Sequence, residues 1–189
     1  LLSGEFGDIK IWDMGQGKAI QTFTGKFWHE TAVFSPDGKH ILTGSFDKKV
    51  NLLDVAGGVV VKTFEGHSAE VKSVAFFPDG KHALSGSWDK TVKIWDVSGG
   101  TVVRILKGHS GSVGAVAVSP DGRYVLSGSA DSTMKLWDAG TGECIYSIIT
   151  AREGGDYLCW TPDGYFTGTA WAMRNLVHVV DGLGLFAID

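Results

Sequence analysis

The chain has 189 residues, a formal charge of −4, 43% hydrophobic side chains and 20% charged ones, the balance of a globular protein. It contains no run of five Lys or Arg, hence no broad surface for a phosphate backbone, and nucleic acid is not an expected partner. No apolar stretch reaches the about 18 residues of a membrane helix, and no signal peptide opens the chain, so the expectation is a cytoplasmic protein without a membrane partner.

Twenty-seven glycines against four prolines point to many tight turns, and seven tryptophans are high for this length. The two cysteines, Cys144 and Cys159, have no CxxC spacing. A disulfide framework and a cysteine zinc site are therefore not expected, and each cysteine reads as a small buried hydrophobe in a reducing compartment.

Along the chain, "LLSGEFGDIKIWD" reads as the end of an incomplete unit whose first strand is missing, and residues 1–23 read as a partial first unit. Residues 24–65 form a second unit and 66–107 a third. The third shows the pattern in full. "VKSVAFF" (71–77) and "KHALSGS" (81–87) flank a Pro-Asp-Gly turn, where Pro presets φ and Gly accepts a positive φ. "TVKIWD" (91–96) alternates apolar and polar residues, and "VVRIL" (102–106) is rich in β-branched side chains. The fourth unit covers 108–149. A degenerate last unit follows over 150–189, with "GYFTGTAW" (164–171) as its second strand and "LVHVVD" (176–181) in its third.

The units repeat at a shift of 42. Ser35-Pro36-Asp37-Gly38, Phe77-Pro78-Asp79-Gly80, Ser119-Pro120-Asp121-Gly122 and Thr161-Pro162-Asp163-Gly164 keep that interval. So do Gly66-His67 with Gly108-His109, and Trp95-Asp96 with Trp137-Asp138. A period of this length, without a 3.6-residue amphipathic pattern, predicts an all-β repeat architecture. At this period 189 residues hold about four and a half units. A closed ring needs more, so the expectation is a piece of a longer protein or a chain that closes by self-association.

These units resemble the WD-repeat family of β-propellers, which carries Gly-His near one end of each repeat and Trp-Asp near the other. The resemblance covers essentially the whole chain and implies four-stranded blades in an incomplete ring. "TPDGYFTG" followed by "LVHVVDG" is similar to the closing repeat of some multidomain bacterial WD-repeat proteins. By the same resemblance, His67, Ser85, Asp89 and Trp95 form a hydrogen-bonded chain inside one blade, and His109, Ser127, Asp131 and Trp137 form another. The donor and acceptor chemistry of the side chains suits this: indole N–H only donates, while a hydroxyl does both. A Ser, His and Asp also suggest a hydrolase, but an enzyme needs one active site rather than one per repeat, and no enzyme is expected. The second unit has Lys26 and Leu53 at the His and Trp places, so packing alone is expected to hold it.

No cofactor is expected: "GQGK" (15–18) falls at a turn between strands, not in a Walker loop. No metal is expected either. His29, His40, His82 and His178 lack ligand spacing, and each repeated turn aspartate stands alone.

The family resemblance implies a protein or peptide partner, met at the residues before the turn Asp and at the start of the first strand. These are Phe46 and Trp88, with Trp28, Glu30, Glu70 and Lys72 beside them. The competing reading has the two aromatics simply covering the edges of their blades. The function implied is a non-catalytic interaction scaffold. A regulatory or targeting module of a larger bacterial signalling enzyme is the alternative.

Overall fold

The structure, a computed structural model, describes residues 2–5, 8–24, 29–150, 155–170, 172 and 186–187. Its strands follow one another in chain order within each sheet and pair antiparallel, apart from the last pair, which is parallel. The first sheet has three strands, β1 (Leu2–Glu5), β2 (Asp8–Asp13) and β3 (Lys18–Thr24). The second has four: β4 (His29–Phe34), β5 (His40–Ser45), β6 (Val50–Asp54) and β7 (Val59–Phe64). The third follows the same plan with β8 (Val71–Phe76), β9 (His82–Ser87), β10 (Thr91–Asp96) and β11 (Thr101–Lys107).

The fourth sheet begins the same way, with β12 (Val113–Val118), β13 (Tyr124–Ser129), β14 (Thr133–Asp138) and β15 (Cys144–Thr150). It then continues through β16 (Tyr157–Trp160), β17 (Tyr165–Gly168) and β18 (Phe186–Ala187) to seven strands. The described strands of the last unit therefore extend the fourth sheet. Pairs such as Ile148↔Cys159 attach β16 to the open edge of β15. Leu158, Phe166 and Ala172 form a small core there, against Ile149 and Trp160. An unpaired outer strand offers a row of free backbone groups, and β16 satisfies them. "LVHVVD" lies outside the described residues.

The turns explain the recurring tetrapeptide. Gly38, Gly80 and Gly122 have φ of 70, 64 and 72°, which a Pro-Asp-Gly turn demands of its last residue. The Asp37 carboxylate accepts the Ser35 hydroxyl at 2.6 Å and the Lys39 amide at 3.0 Å. The aspartate of each Trp-Asp pair acts similarly at the next turn: Asp96 accepts the Gly99 amide at 2.7 Å. These carboxylates are spent on backbone groups.

Neighbouring sheets bury one another. The first and second share Ile9, Ile11, Phe23, Ile41 and Leu53. Between the second and third lie Leu42, Val50, Phe64, Val71, Val74 and Trp95. The third and fourth repeat that set as Leu84, Val92, Leu106, Val113, Val116 and Trp137. Fully burying each such side chain contributes roughly 1.5–3 kcal/mol, so these seams carry most of the stability. Polar straps cross them too. Lys62 Nζ donates to the Ser98 carbonyl, Arg104 to the Thr141 carbonyl at 3.4 Å, and the Val116 amide to Ser73 Oγ at 3.1 Å. Cys144 and Cys159 are free and only half-buried, less enclosed than their sequence context implies.

Candidate functional site

Within the third sheet four side chains form one circuit. Trp95 Nε1 donates to Ser85 Oγ at 2.7 Å, Ser85 Oγ lies 2.7 Å from His67 Nε2, and His67 Nδ1 lies 2.7 Å from Asp89 Oδ2. The fourth sheet copies it through Trp137, Ser127, His109 and Asp131, with 2.8 Å at each step. The indole can only donate, so the serine oxygen accepts from it and keeps its own proton to donate to Nε2, while Nδ1–H donates to the carboxylate. With that order the indole, hydroxyl and both imidazole nitrogens of each circuit are paired. Gly66 serves this arrangement, with φ of 153° and an added Cβ only 3.3 Å from the Trp95 ring.

Electrostatics agree. Burial pulls His109 below the ordinary histidine value, and the opposing attraction of Asp131 does not restore it. Burial pushes Asp131 up, but hydrogen bonds from Thr133, His109 and the Ser110 amide outweigh it and hold the carboxyl well below the usual range. Asp89 behaves alike, with burial opposed by His67, Thr91 and the Ser68 amide. Ser85, Ser127, Trp95 and Trp137 are 0–1% exposed, so no substrate reaches the hydroxyls. The circuit is architecture.

The second sheet lacks it, as its sequence implies. Leu53 occupies the Trp place, Thr43 points its hydroxyl at the Asn51 carbonyl, and among the described residues Asp47 binds its own turn through Ser45 and the Lys49 amide. Lys26 lies outside the described residues.

At the rim, Phe46 and Trp88 precede the turn aspartates of adjacent sheets and are 40% and 47% exposed. The Lys72 ammonium stands between them, 4.4 Å from the Phe46 ring centre and 4.1 Å from that of Trp88. It also lies 3.1 Å from Glu30 Oε1 and 3.1 Å from Glu70 Oε2. Glu70 Oε2 is buried and makes an ionic contact without hydrogen-bond alignment. Burial alone lowers the affinity of Lys72 for its proton, but Glu70 and Glu30 together outweigh it and hold the pKa above the ordinary lysine value. Five of the six rim residues read from the sequence thus meet at one place. The sixth, Trp28, lies outside the described residues.

A backbone irregularity creates this cluster. The pairing of β8 with β9 skips a residue between Val71 and Ser73, and that of β4 with β5 skips one between His29 and Thr31. The skipped residues are Lys72 and Glu30. A β-bulge re-aims one side chain out of the alternating pattern, which lets both reach the seam between the sheets. The fourth sheet bulges in the same place but carries Gly114 there, with Ala130 before its turn Asp, so the cluster is not repeated. Among the described residues no group of three or more His, Cys, Asp or Glu side chains is arranged to hold a metal ion.

Packed sheets built on a four-stranded plan, joined by Asp-centred turns and in two cases braced by a His-Ser-Trp circuit, define a repeat protein of the propeller class. Residues 17–54, 58–96 and 100–138 match the model of the WD domain, G-beta repeat, together more than half of the chain. The chain belongs to the WD-repeat family, and its described sheets form an open arc. Over 67 residues, 35% of the chain, it is 36% identical to the nuclear distribution protein PAC1 of Coccidioides posadasii (strain C735). Over 69 residues, 36% of the chain, it is 38% identical to the protein Notchless of Drosophila melanogaster. Each match spans 14% of the length of that relative. WD-repeat proteins act as protein-interaction scaffolds.

Proposed function

We propose that this chain is a non-catalytic scaffold that binds a protein or peptide across the rim formed by Phe46, Trp88, Lys72, Glu30 and Glu70. The exposed pair Phe46 and Trp88 carries this reading. Two large aromatic faces stand open to solvent at equivalent places in adjacent sheets, held apart by a fixed cation instead of collapsing onto each other. Rigid, partly exposed aromatics are the side chains that most often dominate protein interfaces. A partner that lays an apolar or aromatic side chain on them gains area without ordering the rim, because Lys72 and its two carboxylates have already fixed it.

The test is affinity isolation from the source cells with the native chain and with Phe46→Ala plus Trp88→Ala. The double variant is expected to lose a specific partner while keeping its melting temperature within a few degrees. Retention of every partner by a folded double variant rejects the rim as the binding site.

A further inference from the structure

We infer that the groove between the second and third sheets, at the end away from the rim, is a docking site for a partner peptide that carries an aromatic side chain next to a lysine or arginine. Strand β5 runs from His40 at this groove to Ser45 beside Phe46 at the rim, so roughly 17 Å of strand separates the two places. The groove measures about 480 Å³ and is walled by Ser35, His40, Leu52, Phe76, Lys81 and Val97, with Asp37 at its edge. It opens between two Pro-Asp-Gly turns, where Pro36 of one lies 3.9 Å from the Cβ that Gly80 of the other would carry.

The neighbouring seam shows what suits such a place. One period on, Ser35 becomes Phe77, whose side chain is buried at 6% exposure. It lies in one cluster with Ile94, Val118 and Ala139, the counterparts of Leu52, Phe76 and Val97. It meets His82, the counterpart of His40, edge to face, with ring centres 5.9 Å apart. The groove is therefore the Phe77 site moved back by one seam and lacking its ring. Ser35 is too short to fill it and turns its hydroxyl to Asp37 instead. Lys81 on the facing wall corresponds to Arg123, so a cation there is compatible with a filled site.

A donor is missing as well. In the third sheet Asp79 uses both oxygens: Oδ1 accepts the Lys81 and His82 amides, and Oδ2 lies 2.7 Å from His82 Nδ1. In the second sheet Asp37 Oδ1 accepts the Ser35 hydroxyl and the Lys39 amide, while Oδ2 takes no hydrogen bond from any described residue. Those two bonds hold the carboxyl below the usual range, so it is charged at neutral pH. An occupant that supplies both missing parts has an apolar ring beside a cationic donor. Burying the ring in a preformed pocket gives affinity, and one charge-assisted bond at its mouth fixes orientation. A polypeptide already fills the equivalent site one seam on, which favours a peptide over a free aromatic amine.

The test is an amide NMR titration of the native chain with a capped Gly-Phe-Lys-Gly peptide, carried to millimolar concentration. The Ser35, His40 and Val97 amides are expected to shift, and to stay in place when alanine replaces the phenylalanine of the peptide. Ser35→Phe, which copies the Phe77 turn, is expected to abolish the shifts. Asp37→Asn, an exposed change that leaves the core untouched, is expected to weaken binding roughly two- to fivefold, the range of an exposed ion pair. Phe46→Ala plus Trp88→Ala is expected to leave the titration unchanged, which separates this site from the rim.

No shift at those amides, or equal shifts with the alanine peptide, overturns the proposal. So does a folded Ser35→Phe or an Asp37→Asn variant that binds as tightly as the native chain. Loss of binding in the Phe46→Ala plus Trp88→Ala variant overturns it in favour of the rim. Equal affinity for Gly-Phe-Glu-Gly overturns the role of the cation, and equal affinity for phenethylamine makes this a small-molecule site instead. Shifts that grow with protein concentration in the absence of peptide overturn it in favour of a second copy.

Discussion

The Lys72 ammonium sits 4.1 Å above the ring of Trp88, on the neighbouring side of a seam whose other wall carries Phe46 and Glu30. One side chain thus ties two sheets together and sets the spacing of the two exposed aromatics. Its carboxylate partners remain where they are if it is removed. Lys72→Met, which keeps the stem, is expected to cost about 1–3 kcal/mol by leaving two carboxylates facing each other, a value between those of exposed and buried pairs. Adding Glu30→Gln and Glu70→Gln to Lys72→Met is expected to recover most of that loss. Chemical denaturation of the four-member set measures it, and a triple variant as unstable as Lys72→Met alone contradicts the ionic account.

The circuit in the third sheet makes a sharper demand. Trp95→Phe retains the ring packing against Phe64 and removes the donor to Ser85. The unpaired hydroxyl in a buried site is expected to lower stability by about 1–3 kcal/mol. An unchanged melting curve rules out the bracing role.

Three turns hold non-glycine residues in the left-handed region: Lys48 at φ 72°, Lys90 at 70° and Ser132 at 68°. That conformation costs an L-residue roughly 1–2 kcal/mol, against the roughly 0.5–1 kcal/mol that a glycine forfeits in the unfolded chain. Lys90→Gly is therefore expected to raise stability by a few tenths to about 1 kcal/mol. Lys81→Gly, at an ordinary φ, is expected to lower it. The two variants having the same sign of effect refutes the assignment of strain.

Acid has two expected points of attack. His109 is depressed in the fold, so below about pH 6.5 the unfolded chain takes up protons that the folded one refuses. Stability is complete above that value and declines as pH falls through it. Asp89 and Asp131, also depressed, add a second loss as pH drops through about 3.9. Urea midpoints measured from pH 7.5 downward check this, and His109→Gln is expected to weaken the upper limb only.

The sheets were legible because their turns are chemical: a Pro-Asp-Gly corner and an Asp that caps the next turn identify themselves by residue type alone. The circuit was legible through the family resemblance, because His67, Ser85, Asp89 and Trp95 recur one period on as His109, Ser127, Asp131 and Trp137, and their donor and acceptor chemistry suits such a chain. The meeting of Lys72 with Phe46 and Trp88 was legible only as proximity. That the ammonium stands between the rings depends on a bulge, and a skipped residue in a strand leaves no mark in the letters. The edge-on attachment of β16 was equally hidden, because backbone pairing at an open strand edge needs no particular side chain.

The His-Ser-Trp circuit closes on itself within one sheet, each donor meeting an acceptor less than thirty residues away in the sequence. A gene that copies or deletes one such unit therefore moves the whole circuit and leaves no member of it behind in the neighbours. Recombination can lengthen or shorten the array without rewriting that circuit, which leaves natural selection to work on the seams and the rim.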